Sequence, residues 1–386
     1  MRVLWGFVLI LLISLSHCKG ETLKPLSTDE RRDTIYAQSL GIEKESFLIL
    51  DKDINLNQKI CVLPPGVTIK PKGGVIKNGI IVGDDTRIVG KGYVFENVRI
   101  CGTWNVPTIR STMFKTLDYD NSLKDVVALT SPYITNKVIV EKGNYYVTAK
   151  RNKDMCVNIR SKTEFILRGN ILLTPNGYTD YDILHVEGDK IVIKGDGYIF
   201  GDKNKHLNKD GEWGMGIRVN NSSHVVISGI TIKDCWGDCI YVGGSSTNVL
   251  IKNCFLDNGR RQGISITKAK NVIIKDCKIA NISGTHPEYA IDVEPNPNDT
   301  VNNIRIHNII VNHCKGGLLV WGKAPNAKVG SVEIANCSIA DVKEFPILVI
   351  GCDNAKIKNN KISKYRKGPI SYEDVGSIVN RNNIYR

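Results

Sequence analysis

Apolar residues recur along this chain in two registers. Ile227, Ile251, Ile274, Ile306, Ile334 and Ile357 follow one another at intervals of 24, 23, 32, 28 and 23 residues. A second register starts at Ile217, Ile240, Ile264, Ile291, Leu318 and Ile347. Two residues further on, each of these is matched by another apolar residue: Val219, Val242, Ile266, Val293, Val320 and Val349. Period-two alternation marks a short strand with one face turned inward. Two strand series locked to one repeat predict coils that stack in parallel about 4.8 Å apart, none able to bury its apolar face alone. The pattern therefore predicts an all-β solenoid, a parallel β-helix of about ten coils. Chemistry in such a fold is read down columns of stacked residues.

Before the repeats the text changes. Ser27-Thr28-Asp29-Glu30 is a capping-box pattern that predicts a short helix through about Leu40. Phe47 to Trp104 is a series of short β-rich pieces with turn glycines, read as a small β-module or as the first irregular coils. Ser122-x-x-Asp125 ahead of Val126, Val127 and Leu129 predicts an amphipathic helix that caps the open end of the solenoid. The expected division is a signal peptide over 1–18, an N-terminal helix and β-rich module over 19–105, and the parallel β-helix over 106–386. The apolar run Val3–Leu15 is too short to span a bilayer and has the form of a secretory segment. It ends in Leu15-Ser16-His17-Cys18, which resembles a lipoprotein box and makes Cys18 the candidate lipidation site. Ordinary signal cleavage is the alternative. The expected location is outside the cytoplasm: a bacterial surface or outer-membrane lipoprotein, or a periplasmic or secreted protein.

Composition narrows the partners. Fifty-two Lys and Arg against 39 Asp and Glu give a net charge of +13, which favours polyanions. The basic residues are scattered without a block or interleaved aromatics, so an acidic polysaccharide is favoured over nucleic acid. A membrane enters only through the lipid anchor. The chain carries 11 cysteines, of which Cys254, Cys277 and Cys337 each lie three residues after an isoleucine of the first register. That column predicts buried free thiols, since parallel side chains on stacked strands have poor torsion for a disulfide. No zinc-ligand spacing occurs.

The residues between the inward positions of the second register face out. One outward column runs Arg218, Tyr241, Ser265, Asp292, Leu319 and Leu348, and the next runs Asn220, Gly243, Thr267, Glu294, Trp321 and Ile350. Asp292 and Glu294, two apart on one strand, form a candidate acid/base pair, a candidate Ca2+ site, or a pair neutralised by Arg260, Arg261 or Lys268. Arg260, Arg261 and Gln262 enter the strand one coil earlier. Two arginines there suit a bidentate clamp on a uronate or sulfate, and a solvated turn is the plainer reading. Tyr241 and His286 are candidates for proton transfer, with Arg218 as a neighbouring cation. Trp236 and Trp321, with Trp213, could stack on sugar rings or serve only in packing.

The segments GGVIKNGIIVGDDT, GEWGMGIRV, ITIKDCWGDCIYVGG, NGRRQGISI and AIDVEPN resemble the right-handed parallel β-helix, pectate-lyase-like superfamily of secreted bacterial and phage proteins. The resemblance implies a right-handed solenoid and activity on polysaccharides, by elimination, hydrolysis or epimerisation. Within it, Gly237-Asp238-Cys239-Ile240 is similar to the second motif of polygalacturonases, and Gln262-Gly263-Ile264 stands where their third motif carries a histidine. Gly237 replaces one aspartate of that second motif, and Gly214-Met215-Gly216 holds none where the first motif would fall. The expectation is a lyase acting on a uronate-containing glycan. Asp238, Tyr241, Arg261, His286, Asp292 and Glu294 would carry its chemistry, and Arg218, Arg260, Gln262, Trp236 and Trp321 would hold its substrate. Calcium is the one candidate cofactor. A polygalacturonase-like hydrolase and a non-catalytic glycan-binding solenoid are the alternatives.

Overall fold

The isoleucines of the first register form one buried stack. Strand pairing sets Ile227 beside Ile251, then Ile274, Ile306, Ile334 and Ile357, and none is more than 1% exposed. The second register stacks likewise from Ile217 through Ile240, Ile264, Ile291 and Leu318 to Ile347. A third inward column, Tyr145, Ile171, Ile199, Ile232, Leu256, Ile279, Val311 and Ile339, runs down a separate ten-stranded parallel sheet. Each fully buried aliphatic side chain contributes about 1.5–3 kcal/mol. A coil on its own would leave that surface wet, so the columns hold only as a stack.

The computed structural model describes residues 34–36, 41–116 and 122–386. They fall into two compact units, divided between Glu141 and Lys142. The strands make a parallel β-solenoid of about 13 turns rather than ten. The difference arises in the N-terminal unit, where strand Ile76–Ile88 pairs in parallel with Ile60–Val62 and with Phe95–Trp104, so the β-rich text there also winds as coils. Its strands run to 13 residues without the short repeat seen later, so the period is hard to read. The helix predicted from Ser122 is present as Ser122–Ala128 and packs on strand Phe95–Trp104. Its Asp125 accepts the Ile100 N–H at 3.0 Å and pairs with Arg99. Part of the earlier predicted helix is instead strand: Thr34–Tyr36 pairs with Ile60–Val62. A β-branched pair followed by tyrosine overrides the capping-box signal. The remainder of that helix, the secretory segment and Cys18 lie outside the described residues.

The corners explain the abundance of asparagine. Asn253, Asp276, Asn308, Asn336 and Asn359 occupy one corner in successive coils with φ between +53° and +57°. Asn and Asp tolerate this left-handed conformation best among residues with a Cβ. At another corner Asn271 donates to Asn248 at 3.0 Å, and Asn303 donates to Asn271 at 2.8 Å. Cys254, Cys277 and Cys337 are buried free thiols as expected. Each donates to the carbonyl two residues back, at 3.2–3.4 Å.

Candidate functional site

The outward column is continuous across coils: His185, Arg218, Tyr241, Ser265, Asp292, Leu319 and Leu348 lie side by side. Arg218 donates through Nε to Asp182 Oδ1 at 2.6 Å and through Nη2 to Asp180 Oδ1 at 2.7 Å. Its guanidinium lies 5.1 Å from the ring centre of Tyr241, whose hydroxyl is 2.7 Å from Thr267 Oγ1. Behind Arg218, His185 Nδ1 meets Asp182 Oδ2 at 2.7 Å, and its Nε2 is buried without a partner. A cleft of about 320 Å³ opens over this column, lined by Asp180, Trp213, Arg218, Tyr241, Arg261, Thr267 and Asn296. That volume is at the small end of ligand pockets, which run from roughly 300 to 1,000 Å³.

Arg261 is the electrostatic hub. Its Nη1 lies 3.4 Å from both oxygens of Asp238, and its Nε is 3.4 Å from Glu212 Oε2 without hydrogen-bond geometry. Burial works against the charged guanidinium, but Asp238, Asp292, Glu212 and Glu294 together outweigh it and raise its pKa. Beneath it, Asp238 and Asp292 have no solvent exposure. Burial pushes the Asp238 carboxyl up to about 6 against the pull of Arg261. Burial, with Glu294 beside it, holds Asp292 well above the usual carboxylate range despite Arg261. Asp292 Oδ2 accepts from Gln262 Nε2 at 2.9 Å, and Gln262 Oε1 accepts the Tyr289 N–H at 2.7 Å. Asp292 Oδ1 has no partner.

Gly237 shows why the aspartate pair of the polygalacturonase motif is incomplete. A Cβ there would lie 2.5 Å from the Glu212 carbonyl oxygen and 2.9 Å from the Gly214 nitrogen. The segment that brings Glu212 to Arg261 occupies the space a first aspartate would need.

Several expected site residues lie elsewhere. Arg260 points away from Asp292: its guanidinium stacks 3.7 Å from the Trp236 ring centre and donates to the carbonyls of Gly211 and Lys209. Trp236, only 7% exposed and stacked on His206 as well, has no free face for a sugar. Gln262 is fully buried, so its role is to hold Asp292 and not to touch substrate. His286 stands in an exposed turn, 3.6 Å from Glu288, and is not among the cleft residues. Trp321 is half-buried one coil beyond Glu294, also off the cleft. Asp292, the candidate calcium ligand, is bonded to Gln262, and among the described residues no three His, Cys, Asp or Glu side chains converge to hold a metal ion.

Asp180, Asp182, His185 and Glu212 escaped the sequence reading. His185 is in register with Arg218, but 33 residues separate them, against 23 from Arg218 to Tyr241. The excursion before Trp213 breaks the period, and only continuing the column backwards would have found the pair.

Residues 169–331 match the family model of the right-handed beta helix region. Two Bacillus subtilis (strain 168) proteins are similar. The SPbeta prophage-derived uncharacterized protein YorA is 29% identical over 41% of this chain and 32% of its own length. Uncharacterized protein YclG is 30% identical over 40% of this chain and 31% of its own length. The matched part thus spans about a third of these relatives. Among solved structures, a hyperthermoactive exopolygalacturonase from Thermotoga maritima superposes with a TM-score of 0.43 at 14% identity, covering 72% of this chain and 91% of that one. Sequence match and parallel strand stacking agree that residues 169–331 form a right-handed β-helix region.

Proposed function

We propose that this β-helix cleaves an acidic, uronate-containing polysaccharide by β-elimination in the cleft over Arg261. One observation carries the reading. The cleft presents two guanidinium groups, a phenol, a hydroxyl and the Asp180 carboxylate, which Arg218 already holds, while Asp238 and Asp292, whose pKa is raised, lie under Arg261 with no exposure. Only groups that face the cleft can meet a substrate as it enters. Arg261 would receive the uronate carboxylate through its planar fork. Neutralising that carboxylate makes the C5 proton acidic. As the C4–O4 bond breaks and a C4–C5 double bond forms, the Tyr241 oxygen takes the C5 proton and gives its own proton to the departing O4. Asp292 matters through its charge. Burial and Glu294 disfavour its charged form, so less of the Arg261 charge is balanced from beneath and more is open to an incoming anion.

Hydrolysis is the second reading, favoured by one feature: Asp292, its pKa raised by burial and by Glu294, stands beside the half-buried Glu294 in the form of an acid/base pair. It requires Arg261 to swing off the carboxyls. Incubation with a panel of uronate glycans separates the two. Elimination gives ultraviolet absorbance from an unsaturated uronate together with new reducing ends. Reducing ends without that absorbance would replace elimination with hydrolysis, and no cleavage across the panel would remove both.

A further inference from the structure

Outside the cleft, a column of stacked groups stands behind the segment between strands Tyr198–Phe200 and Trp213–Asn220. The Trp236 ring lies 4.0 Å from the ring of His206, near parallel, and 3.7 Å from the Arg260 guanidinium. Two groups that close to one ring centre occupy opposite faces. His206 Nδ1 is fixed at 2.8 Å by Asp202 Oδ2, and Asp202 Oδ1 accepts the Tyr181 hydroxyl at 2.8 Å. The far end of the column grips the segment itself: Arg260 Nη1 donates to the Gly211 carbonyl at 2.7 Å and Nη2 to that of Lys209 at 3.2 Å. The next two residues, Glu212 and Trp213, are the ones that reach Arg261 and the cleft wall.

We infer that Arg260, braced on Trp236 whose other face carries His206 of the 203–212 segment, is a positioning residue that clamps the Lys209–Glu212 end of that segment and so sets Glu212 and Trp213 at the cleft. Arg260 does not touch substrate. Its two hydrogen bonds are charge-assisted and its guanidinium is stacked on Trp236, so the end of the segment is anchored from the neighbouring coil. Without the guanidinium, the segment keeps its other ties, the Leu207 N–H to the Asn176 carbonyl among them, and opens at its Lys209–Glu212 end. The consequence for the cleft rests on the cleavage proposed above. The clamp itself does not.

Two measurements on the full chain test it. Trypsin cuts after Lys205 and Lys209, both exposed, at a rate that rises as the segment opens. Arg260→Met keeps an unbranched side chain and loses the guanidinium with its stack on Trp236 and both hydrogen bonds. It should be cut there at least about tenfold faster than wild type, with the melting temperature of the solenoid little changed. Arg260→Lys, which retains charge and one donor direction, should fall between the two. With a cleaved glycan, Arg260→Met should raise KM by about tenfold and change kcat less, because a wall of the cleft is displaced while Arg261 and Tyr241 remain. Equal trypsin rates in wild type and Arg260→Met would overturn the clamp. Faster cutting with an unaltered KM would overturn its link to the cleft. If wild type cleaves no glycan, the elimination reading fails while the trypsin comparison still decides the clamp.

Discussion

Replacing Asp238 with asparagine tests the electrostatics under Arg261. Asp238 has no solvent exposure and its carboxyl sits at about 6 against an ordinary 3.8. A folded-state pKa above the unfolded one means that the fold prefers the protonated acid. The stability this gives is complete below about pH 4 and is lost as pH rises through about 6. A shift of roughly 2 units at 1.36 kcal/mol each makes the loss about 3 kcal/mol. Asparagine imitates the neutral acid and does not titrate. The difference in unfolding free energy, variant minus wild type, should therefore rise by about 3 kcal/mol in the variant's favour between pH 4 and pH 8. Constant effects of the substitution cancel in that difference. Asp292, which Asp238 helps to hold up, moves the same way. Urea unfolding followed by tryptophan fluorescence at one-unit pH steps measures it. A difference that stays flat across the range would mean that Asp238 ionises normally in the fold and that burial does not raise the carboxyl beneath Arg261.

Further outcomes follow from the same residues. Arg261→Lys keeps the charge and loses the fork, and should lower turnover on a cleaved glycan by about one to two orders of magnitude, or 1.4–2.7 kcal/mol. Full activity in both Arg261→Lys and Arg261→Ala would remove this arginine from the chemistry. Ile251→Ala empties a position with no exposure in the inward stack and should cost about 2–5 kcal/mol in urea unfolding, with a loss below about 1 kcal/mol counting against close packing there. If Cys18 is the lipidation site, metabolic labelling with a lipid analogue should mark wild type and not Cys18→Ala; equal labelling of the two would end the lipoprotein expectation.

The columns were legible because a stacked solenoid turns sequence period into spatial neighbourhood. Ile227 through Ile357, and the order Arg218, Tyr241, Ser265, Asp292, come directly from the spacing. Direction at a turn did not. Arg260 and Arg261 are adjacent in the chain and both reach the preceding coil, yet one lies over Trp236 and the other over Asp238, a choice made by the 203–212 segment that no period describes. For the same reason Glu212 was invisible, and Gly237 looked like a lost aspartate rather than the contact that admits Glu212. Burial was hidden too. Outward alternation placed Asp292 on the cleft face, where Arg261 and its neighbours cover it. The N-terminal coils went uncounted because strands such as Ile76–Ile88 carry no short repeat.

The central claim is that a substrate carboxylate on Arg261 drives the cleavage, and chemical reduction of that carboxylate tests it most directly. A uronate glycan that the protein cleaves is compared with the same glycan after its carboxyl groups are reduced to alcohols, by counting new reducing ends. Elimination has no route without the group that acidifies C5, so cleavage of the reduced glycan should fall to background. Cleavage of both glycans at similar rates would contradict the account and move the chemistry to Asp292 and Glu294.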